Sequence, residues 1–219
     1  MFTNPNNEHD MLVQIFNQQR SHMEKYAEIE DSNGLLQTPD IPVNLQDRFG
    51  QARLKDFAWR ITEEMGEALE EVYNNGTLEA YHEEMSDVLH FLTEFTILAG
   101  LEPKDLITID AIDDYLFLLY AQAEQNIPES RGCEFNYSDI TFLTGLFVQK
   151  LAMTSNLLKN KPWKQSERPT DPETFKERLI GVWETFISIC RVIKVGPEKL
   201  HQLYFRKSDI NKKRQETGY

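Results

Sequence analysis

Trp59-Arg-Ile-Thr-Glu-Glu-Met-Gly-Glu-Ala-Leu-Glu-Glu71 and, a short way on, His82-Glu-Glu-Met-Ser-Asp-Val-Leu-His-Phe-Leu92 are the stretches whose reading decides the fold. At about 100° per residue, Ile61, Met65, Ala68 and Val72 form one apolar stripe, and Glu64 and Glu67 lie one turn apart along its border. Taken alone, these acids fit an ordinary solvated helix face equally well. In the second stretch Glu84 falls inside the stripe of Val88, Phe91, Leu92 and Phe95, with Asp87 one turn along at its margin. Glu83 points about 100° away, as a surface acid would. A carboxylate on an apolar face costs several kcal/mol unless it is paired, protonated or bound to a cation, and nearby basic residues are too few to neutralise the cluster. Two ExxE/D pairs on adjacent antiparallel helices bring Glu64, Glu67, Glu84 and Asp87 together. Such an all-oxygen set suits Mg²⁺, or Mn²⁺, with water and phosphate completing the shell.

Working outward, Leu12, Ile15, Phe16, Met23 and Tyr26 recur at helical spacing, so a first helix is expected over 11–29. A loop with Ser-Asn-Gly and two prolines follows over 31–42. Long helices are then expected over 45–74, ended by Asn-Asn-Gly, and over 77–99, ended by Gly100 in a left-handed conformation. Pro103 opens a short helix, and 111–125 reads as another. The segment 127–136 reads as a loop. Ser138 is the expected cap of a helix running to about 158, and 159–170, with Lys161-Pro-Trp-Lys164, reads as a loop that closes over substrate. Asp171-Pro172 has the N-cap and N1 order of a helix start, and Gly196-Pro197 precedes a last helix over 198–215. No segment has strand periodicity. The expected fold class is therefore all-α, a helical bundle with a four-helix catalytic core and additional helices. Residues 1–219 are read as a single domain, with room for a helical insertion around 101–170.

The 219-residue chain is 40% hydrophobic and 27% charged, which is ordinary for a folded globular protein. Its net charge of −13 makes a nucleic acid polymer an unfavourable partner and cation binding the easier inference. Cys133 and Cys190 are too few for a disulfide framework or a thiolate zinc site and suit a reducing compartment. The first residues lack a basic and apolar leader pattern, and no run approaches about eighteen apolar residues. A cytoplasmic location without membrane contact is expected.

The chain ends Leu203-Tyr-Phe-Arg-Lys-Ser-Asp-Ile-Asn-Lys-Lys-Arg-Gln-Glu-Thr-Gly-Tyr219. Lys207, Asn211 and Arg214 follow i, i+4, i+7 spacing and share a helix face, so they can meet several phosphate oxygens together; a solvated basic tail is the plainer alternative.

With these residues in view, the chain resembles the all-α nucleotide pyrophosphatase superfamily of dimeric dUTPases, phage dCTP/dUTP pyrophosphatases and MazG-like enzymes. Trp59 with Glu64 and Glu67 resembles the family's Trp followed by ExxE. Glu84, Asp87, His90 and Phe91 resemble its ExxD followed by apolar-His-Phe. Tyr204, Lys207, Asn211, Arg214, Gln215, Gly218 and Tyr219 resemble its terminal signature, the most diagnostic match. Gln18 resembles a glutamine on the family's first helix, with Gln14 as the competing assignment. No quotable motif covers 101–172.

The resemblance implies hydrolysis of a deoxynucleoside triphosphate, dUTP first among them, to monophosphate and pyrophosphate, with water attacking the α-phosphorus. It assigns Glu64, Glu67, Glu84 and Asp87 to the metal, with Glu64 or Glu67 also as general base. It gives Lys207 and Arg214 to the phosphates, and Asn211 and Gln18 to the nucleoside. Trp59 and Trp163 are candidate walls of a base pocket, against simple packing in the core or a loop, and His90 is expected to be structural. A homodimer is implied, in a host cytoplasm if the chain is phage-encoded. Three alternatives stay open: the same reaction on dCTP or another nucleotide, a catalytically silent nucleotide-binding regulator, and a di-iron bundle. The last would use Glu79xxHis82 and Glu198xxHis201, but Glu79 and His82 project opposite the Glu84 stripe, Glu198 lies opposite the Leu200, Leu203 and Tyr204 face, and the histidines are expected to be solvated.

Overall fold

The computed structural model describes residues 9–74, 77–126, 137–161 and 165–216. Asp10 starts α1 (Met11–Ser32) by accepting the Val13 N–H at 3.0 Å, which satisfies one of the first-turn donors that a helix leaves open. Helix α2 (Arg48–Asn74) begins three residues later than its apolar pattern suggests. The reason is local: Asp47 accepts the Gly50 N–H at 2.7 Å, and the preceding turn presses the Asn44 carbonyl onto Gly50. A Cβ at Gly50 would lie 2.3 Å from that oxygen, so only glycine fits the entry. Helix α3 (Leu78–Leu98) folds back on α2 and ends at Gly100, whose φ of 81° is the expected left-handed position.

A 3₁₀ turn, Pro103–Leu106, leads to α4 (Tyr115–Asn126), which starts four residues after its expected origin. Asp114 is its cap, accepting the Leu116 N–H at 2.9 Å. Helix α5 spans Tyr137–Ser155, so Ser138 lies inside the helix and does not cap it, and the helix ends three residues early. Helix α6 (Pro172–Val192) starts on Asp171, as expected, and α7 (Pro197–Glu216) closes the chain. Among the described residues these seven helices are joined by no strand, and the fold is all-α. Among the described residues no helix is long and apolar enough to cross a membrane. The 127–136 segment, the Pro162–Lys164 segment with Trp163, and the terminal Gly218 and Tyr219 lie outside the described residues.

Helix α3 is the hub. It packs on α2 along one side and on α1 and α7 along the other, while α6 gathers α4 and α5. From Leu92 to Leu98 every α3 residue is buried. Trp183 of α6 is fully buried, stacks on Phe16 of α1 and donates its indole N–H to Thr96 of α3 at 2.9 Å. Each fully buried Leu or Phe in such a core contributes roughly 1.5–3 kcal/mol. That rigid hub fixes where the acids of α2 and α3 meet.

Candidate functional site

Glu64 on α2 and Glu84 and Asp87 on α3 each offer a carboxylate oxygen, all within 4.8 Å of one another, and all three are half-buried. The pairing of α2 with α3 creates this trio, since the apolar stripes of both helices face inward and carry the border acids to the seam. Glu67 is exposed and outside the trio, though close enough for its charge to act on Glu64 and Glu84. Burial pushes the Glu64 carboxyl up to about 7, and the negative charges of Asp87, Glu67 and Glu84 add to the rise. Glu84 is raised for the same reasons, burial first and Asp87 next. Asp87 is raised by burial, against the opposing pull of Lys207.

The donor set tests whether a divalent cation fits. Carboxylate oxygens are the hard donors that Mg²⁺ takes, and the trio supplies three of them from two helices. The like charges, short of counter-cations, are what a hard cation relieves.

Helix α7 supplies the opposing face. Lys207, only 12% exposed, places Nζ 2.5 Å from Asp87 Oδ2. Asn211 lines a cavity of about 160 Å³ together with Asp87, His90, Glu94 and Gln19. Arg214 is exposed, and its charge helps to lower Asp87. The helical spacing of these three residues thus puts them along one seam with the acids.

Three features of the cavity escape the sequence reading. Its glutamine is Gln19, buried at 3% exposure, while Gln18 is half-buried with its amide 3.2 Å from His22, and Gln14 accepts from His201 at 2.9 Å. Gln19 donates to Glu94 at 2.8 Å and accepts from Tyr204 at 2.8 Å and from His90 Nδ1 at 3.0 Å. His90, stacked on Tyr204 at 4.0 Å, is held neutral, its pKa lowered to about 3 by burial. Glu94 is pushed up to about 7, also by burial. A signal for Gln19 exists in the sequence, because it shares the helical stripe of Ile15, Phe16 and Met23. Arg60 and Glu30 close another wall of the cavity and are paired at 3.0 Å.

Trp59 is 62% exposed and does not line this cavity. The two histidines weighed for a di-iron centre are not solvated, which corrects that expectation. His82 is buried, with Nε2 2.9 Å from the Ile193 carbonyl and Nδ1 3.2 Å from Lys199 Nζ. His201 is half-buried on Gln14. Among the described residues the acid trio is the cluster with metal-ligand spacing. A larger cavity of about 380 Å³, between α1 and the 3₁₀ turn, includes none of these acids.

A family model described as dUTPase matches residues 51–219, most of the chain. No curated protein and no solved structure matches.

Proposed function

The chain belongs to the dUTPase family, and from that premise we propose that it hydrolyses dUTP to dUMP and pyrophosphate, with magnesium held by Glu64, Glu84 and Asp87. The observation that carries this reading is the meeting of three carboxylates from two helices, faced by Lys207 and Asn211 of a third. When bound, the divalent ion polarises the phosphates and lowers the pKa of the attacking water.

The chain's own residues do the rest. Glu64, whose carboxylate oxygen lies in the seam with those of Glu84 and Asp87, takes the proton of the water that attacks the α-phosphorus. Glu67, one turn along and exposed, completes the acid wall on the solvent side. Lys207 and Arg214 hold phosphate oxygens and offset the charge that grows on them. The cavity behind Asp87 seats the nucleoside, with Asn211 and Gln19 as its polar contacts. Asp87 belongs to both this cavity and the acid trio, so the phosphates lie outward along the acids. Gln18 and Trp59 keep only the support of family resemblance for a nucleoside contact.

A homodimer is also proposed, and exposed Phe49 and Trp59 on α2 leave apolar surface for it. Sedimentation would then give twice the 25.6 kDa chain mass. The two-cysteine composition supports a reducing, cytoplasmic setting.

The test is pyrophosphate release from dUTP, dCTP, dTTP, dATP, dGTP and their ribo forms, with and without Mg²⁺. We expect dUTP to rank first, turnover to need the ion, and Glu64→Gln to lower kcat by about 10²–10⁴-fold. Glu84→Gln should abolish the magnesium dependence together with the activity. Equal release by wild type with Mg²⁺, wild type without it and Glu84→Gln would sink the enzymatic reading. A better turnover of dCTP would move the base preference and leave the chemistry standing.

A further inference from the structure

Lys207 has one carboxylate in hand and a second berth beside it. Its ammonium is 2.5 Å from Asp87 and 4.0 Å from Glu83. Asp87 belongs to the acid trio, whereas Glu83 is turned toward a different space. That space is a cavity of about 290 Å³ between α3 and α7, lined by Glu79, Glu83, Ser86, Arg206 and Lys207 itself. Ser86 is 1% exposed, and its buried hydroxyl oxygen has no hydrogen-bond partner. A buried hydroxyl left in that state is costly and needs a reason. Here the space beside it holds two carboxylates, Glu79 and Glu83, against Arg206 and Lys207 itself, so the wall without Lys207 has a net negative charge that its ammonium balances. An ammonium carries three donors on a flexible four-carbon stem, and its three N–H groups match Glu83, Ser86 and the water around them.

We propose that Lys207 is an internal rival for the divalent cation: its ammonium holds Asp87 until the ion binds, then moves into the α3–α7 cavity, to Glu83 and Ser86. Glu83 and Ser86 are then positioning residues that act through Lys207. The inference rests on the reading above that the trio takes a divalent ion. Its physical core is exclusion. An ion ligated at about 2.1 Å by Asp87 would stand within a few ångströms of an ammonium bonded to the same carboxylate. In a half-buried seam that repulsion is poorly screened, so one cation leaves. Lysine has a berth to go to, and the vacated carboxylate oxygen becomes available to the ion. When nucleotide follows the ion, its phosphates draw the ammonium back from that berth to the seam.

The experiment is calorimetric titration of Mn²⁺ into the full chain without nucleotide, for wild type, Lys207→Met, Glu83→Gln and the double variant. Lys207→Met should bind the ion at least about tenfold more tightly, and Glu83→Gln several-fold more weakly. In the Lys207→Met background the Glu83→Gln substitution should lose its effect, since residues that act through a shared partner are non-additive. Circular dichroism establishes that each variant is folded, and Lys207→Gln replaces Lys207→Met if the latter is not. Equal affinities for wild type and the Lys207 variant would overturn the proposal. So would an equal loss from Glu83→Gln in both backgrounds, which marks a charge acting at a distance. A wild type that takes up no Mn²⁺ refutes the metal reading itself, a result distinct from either.

Discussion

Glu94 is the residue whose ionisation the fold resists most clearly. It is 5% exposed, and burial lifts its carboxyl from 4.5 to about 7, despite the Gln19 amide and the charges of Arg53 and Arg60 pulling it down. A folded-state value above the unfolded one contributes stability that is fully present below pH 4.5 and is lost as pH rises through 7. The displacement corresponds to about 3 kcal/mol at most. Glu94→Gln keeps an acceptor for Gln19 and removes the charge. It should therefore be more stable than wild type at pH 8, by up to that amount, with the gap closing toward pH 4.5. Urea midpoints at pH 5 and pH 8 measure it; a difference that does not change with pH would show that Glu94 stays ionised. At this scale the acids were legible because helical phase alone sets Glu84 on an apolar stripe, and periodicity alone aligns Lys207 with Asn211. The Gln19, Glu94, His90 and Tyr204 network was not, because its partners are 71 to 185 positions apart along the chain and no local rule pairs them. Phase does bury Gln19, whereas the family's glutamine motif falls on its neighbour Gln18.

Helix ends obey the same division between local and distant causes. The starts of α1 and α6 follow from Asp10 and Asp171 beside their own helices. The start of α4 depends on an exchange over more than a hundred positions. Asp10 accepts the Tyr115 N–H at 2.7 Å, while Asp114 accepts the Met11 N–H at 2.7 Å, so each aspartate serves both helix N-termini. Apolar spacing reads 111–125 as helix, but the terminus stands where Asp114 meets Asp10. Likewise α2 starts late because the turn at Asn44 to Asp47 supplies its cap. Asp10→Ala removes acceptors from two helices at once and should cost about 2 kcal/mol, the upper end for a cap. Asp171→Ala, at a single exposed cap, should lower the thermal midpoint by less. Equal midpoints for the two variants would show that the exchange between α1 and α4 adds nothing.

For the whole molecule, three like charges are fixed at one seam of a chain that carries −13 overall, and this self-repulsion opposes compaction. Two remedies differ in kind. Monovalent salt screens every surface charge weakly and without saturation, whereas a divalent ion bound at the trio stabilises only the folded state and follows mass action. At an ion concentration one hundred times Kd the gain is about 2.7 kcal/mol, which for a chain of this size is roughly 5–10 °C in Tm. At matched ionic strength, Mg²⁺ should thus raise Tm along a saturating curve that NaCl does not reproduce, and Glu84→Gln should lose the excess while keeping the salt response. Each carboxylate must shed its proton to hold the ion, so the excess should shrink as pH falls, beginning with Glu64, which burial has pushed up to about 7. Melting curves in MgCl₂ and NaCl at pH 6 and pH 8 separate the two effects. If Glu84→Gln keeps the full magnesium excess, the ion is held elsewhere, and the α2–α3 seam is then no more than an acidic surface.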